Sequence, residues 1–421
     1  MSKHRVYVTG LGFISSIGND AGQVAENLRH LRHGIEHYPP FDQADIPISV
    51  LGTIKGFDVD SVDFEDWSYP DRYRIKREIL RGLAPHGVYA YCGLLQALDD
   101  AGLSREDISN PMTGLYAASA GSPFLMKRNF ERMDAVGVMR CPPTGIVASI
   151  AGTLNFNLVA AFGIRGVSCG FSSACASSGH GIGFAVEDIR AGRQNRIIVV
   201  GAEDCNRDSI LPFAGMRALS LEADPDKASR PFDLNRSGFV GTGGACVMIL
   251  ESEEEMERRK AEPYVELTGW GQASDGHNVA ISHPDGIGLR DAMNLALKDA
   301  GIGPADIDYI NAHATSTPIG DVSELRAIKA VFGVGAGRPA ISSTKALTGH
   351  GLSLSSVLEA GFTALAMRRG FTIGSAHIEE PDPECDGLEI LRTTREPGPR
   401  TALCNSSGFG GSNVVLVLRR E

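Results

Sequence analysis

Short apolar runs alternate along the chain with longer segments in which apolar residues recur every three or four positions. The apolar runs predict buried strands at four places, 6–9, 197–200, 247–250 and 414–418. The spacing of apolar residues over 21–32 and 322–332 predicts amphipathic helices. Because strands and helices alternate, the pattern predicts an α/β architecture with mostly buried sheets.

Two local patterns occur twice, in the same order, in the two parts of the chain. Val-Thr-Gly-Leu-Gly at 8–12 is matched by Leu-Thr-Gly-Trp-Gly at 267–271. A helical segment that stops at an Ala-Gly pair, 97–102, is matched by 296–301. One such helix end is common, but two matches in the same order favour a duplicated unit. Since no long linker separates the copies, we expect two halves that pack as one body, 1–261 and 262–421.

The composition restricts the function classes without choosing among them. The chain has 421 residues, of which 43% are hydrophobic, and can build a large globular body. Its formal net charge of −11 argues against nucleic acid or an anionic membrane as the main partner. No apolar run approaches the roughly 20 residues of a membrane span, and the chain opens with a strand rather than a signal peptide. The eight cysteines lack regular spacing, which predicts free thiols and a cytoplasmic location.

Two glycine-rich matches to other enzyme classes are weak. Gly10 and Gly12 follow a strand, as in a dinucleotide-binding fingerprint, but Ser15 replaces the third glycine and no acidic strand end follows at the expected distance. The residues around Ser168 fit the Gly-x-Ser-x-Gly pattern of serine hydrolases. That pattern needs a strand before the serine, whereas a loop precedes Ser168. Neither match predicts the function.

Cys175 lies where a strand of small residues, 167–173, gives way to a helix that ends near 191–192. Exposed backbone N–H groups and the positive end of the helix dipole stabilise a thiolate at such a position. A free thiol has a pKa of about 8.5, and we expect this placement to lower that pKa toward neutrality. The position predicts a nucleophile, although most free cysteines are small buried hydrophobic residues.

Polar groups in the second half supply further candidate chemistry. His313 lies in a hydroxyl-rich turn segment that should present its ring at the end of a strand. His350 closes a second polar segment, which also contains Lys345. Glu359 lies in the apolar helix predicted at 352–367, where a carboxylate needs a cation, and Lys345 is a plausible partner. Taken singly, each of these residues could be structural.

A glycine-rich segment at 405–413 allows backbone N–H groups to approach a ligand, as an oxyanion hole requires, although a plain turn is the alternative. With it, four blocks in order resemble the elongating β-ketoacyl-acyl-carrier-protein synthases of the thiolase superfamily. The blocks are Ser-Ala-Cys at 173–175, Asn-Ala-His-Ala-Thr-Ser-Thr-Pro at 311–318, Ser-Thr-Lys-Ala-Leu-Thr-Gly-His at 343–350 and Gly-Phe-Gly-Gly-Ser-Asn at 408–413. The resemblance covers essentially the whole chain, and the segments 120–123 and 172–178 are similar to the type I branch.

This resemblance implies a fold and a reaction. Thiolase-like enzymes have two similar halves stacked in five layers, α-β-α-β-α, and they usually form homodimers. The implied reaction is an acyl transfer in fatty acid or related polyketide biosynthesis. An acyl group held on Cys175 undergoes a decarboxylative Claisen condensation with malonyl carrier protein and gives a β-ketoacyl product. The expected partner is therefore an acyl carrier protein, whose phosphopantetheine arm carries the substrate, and neither a metal nor a redox cofactor is needed.

The resemblance also assigns roles to matching residues. Catalytic roles fall on Cys175, His313, His350, Lys345 and Glu359. The backbone N–H groups of Cys175 and Phe409 would hold the oxyanion, the histidines would bind the malonyl carbonyl, and the Lys–Glu pair would orient them. The residues expected to contact substrate are Thr315, Thr317, Gly121 and Gly410. The threonines would bind the phosphopantetheine arm, and the small size of Gly121 would leave room for a bulky or kinked acyl chain.

Four departures from the family pattern affect the expected shape of the pocket. Ala314 replaces the usual glycine after the first histidine, and Ser407 replaces a phenylalanine in the glycine-rich turn. Residues 353–355 replace a run of smaller residues, and Ser237 stands where an acid is common. None of these changes removes a catalytic group, so the expected reaction is unchanged. The sequence does not predict which acyl chain the pocket accepts.

A basic cluster stands out in this acidic chain. Its members are Arg72, Arg74, Lys76, Arg77 and Arg81. Because carrier proteins are strongly acidic, a basic docking surface is expected. The predicted docking residues are Lys76, Arg77, Arg81, Lys127 and Arg128. A solvated helix face is the alternative for the same residues.

Other interpretations stay open beside this one. A thiolase shares the fold but needs a second cysteine as base, and Cys404 does not lie in the Cys-x-Gly pattern of that base. A partner subunit similar to the chain-length factors of polyketide systems normally lacks the active-site cysteine, which is present here. A specialised polyketide or polyene ketosynthase is the remaining alternative.

Overall fold

The computed structural model describes residues 4–61 and 63–420, and these form thirteen β-strands, fifteen α-helices and short 3₁₀ turns. The strands are β1 (Val6–Ile14), β2 (Ile35–His37), β3 (Val50–Gly52), β4 (Thr113–Ala118), β5 (Ser168–Phe171), β6 (Arg196–Glu203), β7 (Gly244–Ser252), β8 (Val265–Ser274), β9 (Tyr309–Asn311), β10 (Ala340–Ser342), β11 (Glu389–Ile390), β12 (Thr401–Gly408) and β13 (Ser412–Arg419). The helices are α1 (Ala21–Arg29), α2 (Arg77–Leu80), α3 (Pro85–Ala101), α4 (Arg105–Ile108), α5 (Pro123–Val136), α6 (Gly145–Ser149), α7 (Leu154–Phe162), α8 (Ser177–Arg190), α9 (Arg207–Ile210), α10 (Pro225–Ala228), α11 (Glu253–Arg258), α12 (Ile287–Ala300), α13 (Pro318–Phe332), α14 (Lys345–Thr348) and α15 (Ser355–Arg369).

The strand order repeats itself in the two halves. In the first half the order is β1-β7-β6-β4-β5, and in the second half it is β8-β13-β12-β9-β10, with β11 added at the edge. The first two neighbour pairs in each series are antiparallel and the next two are parallel. The two series join through β1 and β8, which share only the pairs Tyr7–Glu266 and Val8–Val265. The chain is therefore a duplicated unit, and the connection between α11 and β8 spans the predicted boundary at 261/262.

Glycines on the first strand of each half allow a helix to pack unusually close. A Cβ added to Gly12 on β1 would lie 1.9 Å from the carbonyl oxygen of Gly93 in α3. A Cβ added to Gly271 on β8 would lie 2.2 Å from the carbonyl oxygen of Ala292 in α12. Such distances exclude any side chain. The Gly-x-Gly echo in the sequence therefore marks helix–strand packing and not a nucleotide site.

Helices lie outside and between the two sets of strands. The helix α3 packs on β1 and β7, and α12 packs on β8 and β13. The helices α8 and α15 contact each other and strands of both halves. The resulting order of layers, α3, first sheet, α8 with α15, second sheet, α12, confirms the predicted five-layered α/β body. Among the described residues, no helix is long and apolar enough to cross a membrane.

The strands and helices predicted from the sequence are present, with some boundaries displaced. The strand predicted at 167–173 corresponds to β5, which is shorter than predicted. The backbone turns sharply after it, and Ala174 has a φ of +50°. The apolar helix predicted at 352–367 starts with a 3₁₀ turn, Leu352–Leu354, before α15 begins. Both irregular segments lie next to the residues expected to carry the chemistry.

Candidate active site

A sharp turn presents Cys175 between β5 and α8. The hydroxyl of Ser177 accepts a hydrogen bond from the Ser173 N–H at 2.7 Å and donates one to the Ala174 carbonyl at 2.6 Å. These contacts hold the left-handed backbone of Ala174, a conformation that costs energy for a residue other than glycine. Cys175 itself is buried, and the hydroxyl of Ser356 donates to its carbonyl at 3.1 Å.

Three segments that are distant in sequence converge on the sulfur of Cys175. The His350 Nε2 atom lies 3.0 Å from the Cys175 Sγ atom. The backbone N–H of Phe409 donates a hydrogen bond to the same thiol. At Gly408 an added Cβ would lie 2.7 Å from the carbonyl oxygen of Ser173, so only glycine lets this turn approach. The predicted oxyanion donor Phe409 therefore lies beside the Cys175 sulfur.

The two histidines face the same space. Their ring centroids are 5.3 Å apart and their planes are nearly perpendicular, at 86°. The Nδ1 atom of His350 lies 3.0 Å from the hydroxyl of Ser355, the first residue of α15. The carboxylate of Glu324 on α13 accepts hydrogen bonds from the backbone N–H groups of His313 at 2.9 Å and Ala314 at 2.7 Å. These contacts fix the second ring nitrogen of one histidine and the backbone of the other.

Sequence reasoning missed both of these supporting residues. The sequence marks Ser355 only as part of an atypical run after His350, and the family resemblance assigns no role to Glu324. A carboxylate among the apolar positions of the helix 322–332 was an available signal, because a buried acid needs several donors. Glu324 is 3% exposed and accepts a third hydrogen bond from the Asn405 side chain at 2.9 Å.

The buried ion pair predicted between Lys345 and Glu359 is present. Both side chains are almost inaccessible to solvent. Burial raises the pKa of Glu359 to about 7, and the charge of Lys345 opposes that increase. Because an unpaired charge at this depth would cost several kcal/mol, each residue requires the other.

Burial is the largest cause of the pKa shifts of Cys175, His313 and His350. It lowers the pKa of both His313 and His350 well below the usual 6.5, and the positive charge of Lys345 lowers them further. Burial also raises the pKa of Cys175 to about 12, against the opposing effects of Lys345 and of the Phe409 N–H. The expectation of a thiol pKa near neutrality is therefore wrong for the free enzyme, because desolvation of the sulfur outweighs the charge of Lys345 and the Phe409 hydrogen bond. These shifts favour a neutral thiol and two neutral imidazoles in the resting site.

A cavity of about 380 Å³ connects this site with the surface. Cys175, both histidines and Phe409 line it, as do Thr315 and Thr317, the two threonines expected to bind substrate. The hydroxyls of these threonines lie 3.1 Å apart. Gly410 is not among the lining residues, whereas the neighbouring Gly411 is. The cavity is thus polar along the threonine wall and reaches the sulfur at its inner end.

Gly121 does not have the surroundings expected from its size. It is not among the residues that line the cavity, and its φ is +83°. A Cβ added there would lie 2.6 Å from the carbonyl oxygen of Ser149 and 2.7 Å from the N atom of Ala151. The prediction of free space beside Gly121 is therefore wrong in this structure, because backbone fills that space.

Three of the departures from the family pattern, Ala314, Ser407 and Ser237, fall on the cavity wall, and the segment 353–355 lies behind it. Ser407 lines the cavity and donates a hydrogen bond to the Asn413 side chain at 2.7 Å. Ser237 also lines it, 3.2 Å from the hydroxyl of Ser220. Ser353 contacts the buried carboxylate of Glu203 through its N–H at 3.2 Å and through its hydroxyl. At Ser407 and Ser237 a hydroxyl stands in place of bulk or charge, whereas Ser353 is larger than the usual residue, and the contact between Cys175 and His350 is present beside all three.

The predicted docking residues lie on two surface segments, α2 with its flanking residues and α5. The side chains of Lys76 and Arg81 are exposed. Three other members form ion pairs with acidic neighbours: Arg77 with Glu65, Lys127 with Asp208 at 3.4 Å and Arg128 with Glu131 at 2.7 Å. The Thr144 hydroxyl just before α6 donates to the Arg81 carbonyl at 3.2 Å, and α6 packs on α5. The two segments are therefore connected through α6.

Family models cover most of the chain. Residues 3–256 match the N-terminal domain of β-ketoacyl synthases, and residues 264–379 match the C-terminal domain. The chain is 38% identical over 424 residues to the 3-oxoacyl-(acyl-carrier-protein) synthase 1 of Haemophilus influenzae, covering 99% of both proteins. It is 37% identical over 421 residues to the protein of the same name from Escherichia coli (strain K12), again over 99% of each.

Solved structures agree with these matches. A β-ketoacyl synthase from Burkholderia phymatum STM815 has a TM-score of 0.90 at 30% identity, with 99% of this chain and 100% of that one covered. A type II polyketide ketosynthase in complex with its acyl-carrier protein has a TM-score of 0.87 at 26% identity, with both chains fully covered. A thiolase-like fold with a cysteine and two histidines in one cavity defines a condensing acyltransferase. The chain belongs to the β-ketoacyl synthase family.

Proposed function

We propose that this chain is a β-ketoacyl-acyl-carrier-protein synthase of fatty acid biosynthesis, which extends an acyl group held on Cys175 with malonyl carrier protein. The observation that carries the proposal is the 3.0 Å contact between the Cys175 Sγ and His350 Nε2 atoms, with the His313 ring beside it. The Haemophilus influenzae and Escherichia coli relatives carry this activity in their names, which favours fatty acid over polyketide synthesis.

The first half-reaction transfers the acyl group to the enzyme. The Cys175 sulfur attacks the thioester carbonyl of acyl carrier protein, and the backbone N–H groups of Cys175 and Phe409 donate to the resulting oxyanion. The new C–S bond forms as the old one breaks, and the thiol proton leaves with the phosphopantetheine sulfur. His350 is the group within reach that can carry this proton between the two sulfurs.

The second half-reaction forms the carbon–carbon bond. With a malonyl thioester in the cavity, N–H groups of His313 and His350 donate to its carbonyl while CO2 leaves and an enolate forms. The enolate carbon attacks the acyl carbonyl, and the bond to the Cys175 sulfur breaks. Neutral imidazoles suit this step because burial keeps the pKa of both rings low. No step requires a metal or a redox cofactor.

The Ser355 hydroxyl is suited to His350, which acts in both half-reactions. His350 must accept a proton at Nε2 during acylation and donate one during decarboxylation, so both neutral tautomers are needed. The Ser355 hydroxyl, 3.0 Å from Nδ1, can accept a hydrogen bond from that nitrogen or donate one to it. A carboxylate in the same place would only accept, and would hold the ring in one tautomer.

The Lys345–Glu359 pair orients and tunes this site, and Thr315 and Thr317 bind the phosphopantetheine arm. We assign the pair a positioning role because Lys345 acts on the pKa of both histidines. The assignment of the threonines is supported by their place on the cavity wall, with hydroxyls 3.1 Å apart. Neither role needs contact with the reacting carbon.

The proposed partner is an acyl carrier protein that docks on the basic cluster. A ketosynthase of the same fold has been solved with its carrier protein, which supports a partner of this class. Lys76 and Arg81 are exposed, while the other predicted docking residues form ion pairs within the chain. We therefore expect Lys76→Glu/Arg81→Glu to raise the KM for carrier protein about tenfold with little change in kcat, because rim charges steer association. The matched control is Lys298→Glu, on α12 of the other half, and an equal effect of both variants would reject the docking surface.

We also propose a homodimer built on the edge strand β5. This strand ends the sheet, and its residues Ser168 and Cys169 are exposed. Exposed apolar residues surround it: Phe156 on α7, Phe184 on α8 and Ile150. An unpaired strand edge beside apolar side chains is a surface that a second copy would cover.

All eight cysteines are free, which supports a reducing, cytoplasmic location.

The decisive experiment follows the enzyme by intact mass spectrometry. Purified protein is incubated with acyl carrier protein thioesters of several chain lengths, before and after addition of malonyl carrier protein. We expect an acyl adduct on the wild type but not on Cys175→Ala, and its discharge to a β-ketoacyl product when the malonyl substrate arrives. Turnover of acetoacetyl-coenzyme A without any such adduct would identify a thiolase instead. If neither an acyl adduct nor turnover of acetoacetyl-coenzyme A is observed, the result would favour a partner subunit.

A further inference from the structure

The active site contains a set of donor atoms that is typical of metal sites. The Sγ atom of Cys175 and one ring nitrogen each of His313 and His350 all lie within 4.8 Å of one another. Among the described residues, no other three Cys, His, Asp or Glu side chains bring their ligand atoms so close. One thiolate and two imidazoles are ligands that Zn²⁺ prefers.

The spacing of these atoms is close to that of a tetrahedral zinc site. With Zn–S near 2.3 Å and Zn–N near 2.0–2.1 Å, the ligand atoms around zinc are about 3.3–3.6 Å apart. The Cys175 Sγ and His350 Nε2 atoms are 3.0 Å apart, and the largest separation in the trio is at most 4.8 Å. Movements of about 1 Å or less in the side chains would therefore complete three of the four coordination positions.

The surroundings satisfy two further requirements of such a site. The Ser355 hydroxyl beside His350 Nδ1 is an outer partner that holds the ligating imidazole in orientation. The cavity that reaches the sulfur provides an entry path and a fourth position for water. The charge of Lys345 opposes a cation, but Glu359 pairs with it and a zinc-bound thiolate adds a negative charge.

We propose that Cys175, His313 and His350 bind one Zn²⁺ ion, and that this ion is a reversible inhibitor that blocks acylation. On binding, the Cys175 S–H bond breaks, a Zn–S bond forms and the proton goes to solvent. Two neutral imidazoles supply the next two lone pairs, and water completes the tetrahedron. The sulfur lone pair that would attack a thioester is then held by the metal. The ion is an inhibitor rather than a cofactor, and the inference rests on the donor set whatever the acyl substrate is.

The binding test must first remove competing thiols. Cys169 is exposed and Cys141 partly so, whereas the other six cysteines are buried. The experiment therefore uses Cys141→Ser/Cys169→Ser as background and titrates it calorimetrically with ZnCl₂ alone. We expect one ion per chain. Adding Cys175→Ala, or His313→Ala with His350→Ala, should abolish this binding.

The control variant is His37→Ala, which removes an exposed histidine on β2 and should leave the stoichiometry at one. A CoCl₂ titration adds a spectroscopic signature, because a cysteine ligand gives Co²⁺ a thiolate charge-transfer band that disappears with Cys175→Ala. Absence of zinc binding in the background protein, or its persistence without Cys175, would overturn the proposal.

A second measurement does not depend on whether the active-site variants fold. Iodoacetamide alkylation of Cys175 in the background protein is followed by peptide mass with and without ZnCl₂. At a zinc concentration about ten times Kd, alkylation should slow about tenfold and recover after EDTA. An unchanged rate would reject the site even if the condensation assay succeeds. Conversely, protection by zinc in a protein without condensing activity would separate this inference from the proposed function.

Discussion

The Ser355 hydroxyl, 3.0 Å from His350 Nδ1, can serve as a hydrogen-bond partner of that nitrogen in either neutral tautomer. Removing it in Ser355→Ala leaves Nδ1 buried without a partner and frees the ring to rotate. We expect acylation and decarboxylation each to slow about tenfold, the size of effect usual for outer partners of a reacting imidazole. Acylation is measured by intact mass after mixing, and decarboxylation by CO2 release from malonyl carrier protein. Unchanged rates for both half-reactions would contradict the tautomer argument.

Glu203, at the end of β6, places a titratable group in the core beside the site. It accepts hydrogen bonds from the N–H of Ala120 at 3.0 Å and from Ser353, and it is 2% exposed. Burial raises its pKa from 4.5 to about 7. A group that binds its proton more tightly in the folded state stabilises the fold at low pH, and this contribution is lost as pH rises through the range from 4.5 to 7.

Glu203→Gln keeps the acceptor oxygen and removes the ionisation. At 1.36 kcal/mol per pKa unit, the variant should gain about 3 kcal/mol of unfolding free energy relative to wild type between pH 4.5 and pH 8.5. Urea denaturation of both proteins at the two pH values measures this difference. A stability difference that does not change with pH would show that Glu203 is ionised in the folded protein as readily as in the unfolded chain.

At the scale of elements, the glycine pairs on β1 and β8 determine how closely α3 and α12 can pack. Gly271→Ala would place a methyl group 2.2 Å from the Ala292 carbonyl and force α12 away from its sheet. We expect a loss of about 1–3 kcal/mol in unfolding free energy, as overpacked cores show. The matched control is Gly215→Ala, where an added Cβ meets nothing within 4 Å. Equal denaturation midpoints for the two variants would contradict the close-packing argument.

The duplication could be predicted from the sequence because it leaves local signatures, and the meeting of Cys175, His313 and His350 in one cavity could be expected from the four blocks that resemble a family. The helix–glycine echoes recur as α3 and α12, which both end at a glycine with φ between +64° and +68°. The thiol pKa could not be predicted, because burial of Cys175 depends on strands far away in sequence. Gly121 shows the same limit, since no local pattern reveals that residues 149–151 pack against it.

At the scale of the whole molecule, the exposed edge at β5 requires an explanation. The Phe171 and Phe184 rings stack at 5.7 Å, and the Asn155 side chain next to Phe156 donates to the Ser168 hydroxyl at 2.9 Å. This network joins β5, α7 and α8 into one surface with apolar side chains around an open strand. Among the described residues, the opposite end of the long sheet has only the two-residue strand β11 at its edge. The β5 edge is therefore the favoured place for a second copy.

Phe156 tests this dimer directly because it is 53% exposed and lies beside β5. Phe156→Glu would place a charge in the apolar contact, so we expect a dimer for the wild type and a monomer for the variant in sedimentation velocity at micromolar concentration. Val334→Glu is the control, since Val334 is equally apolar and 56% exposed but lies in the second half, away from β5. A variant that remains dimeric, or a control that dissociates, would place the interface elsewhere. Loss of condensing activity together with dimerisation would further show that the second copy supports the site, because the turn that presents Cys175 follows directly from β5.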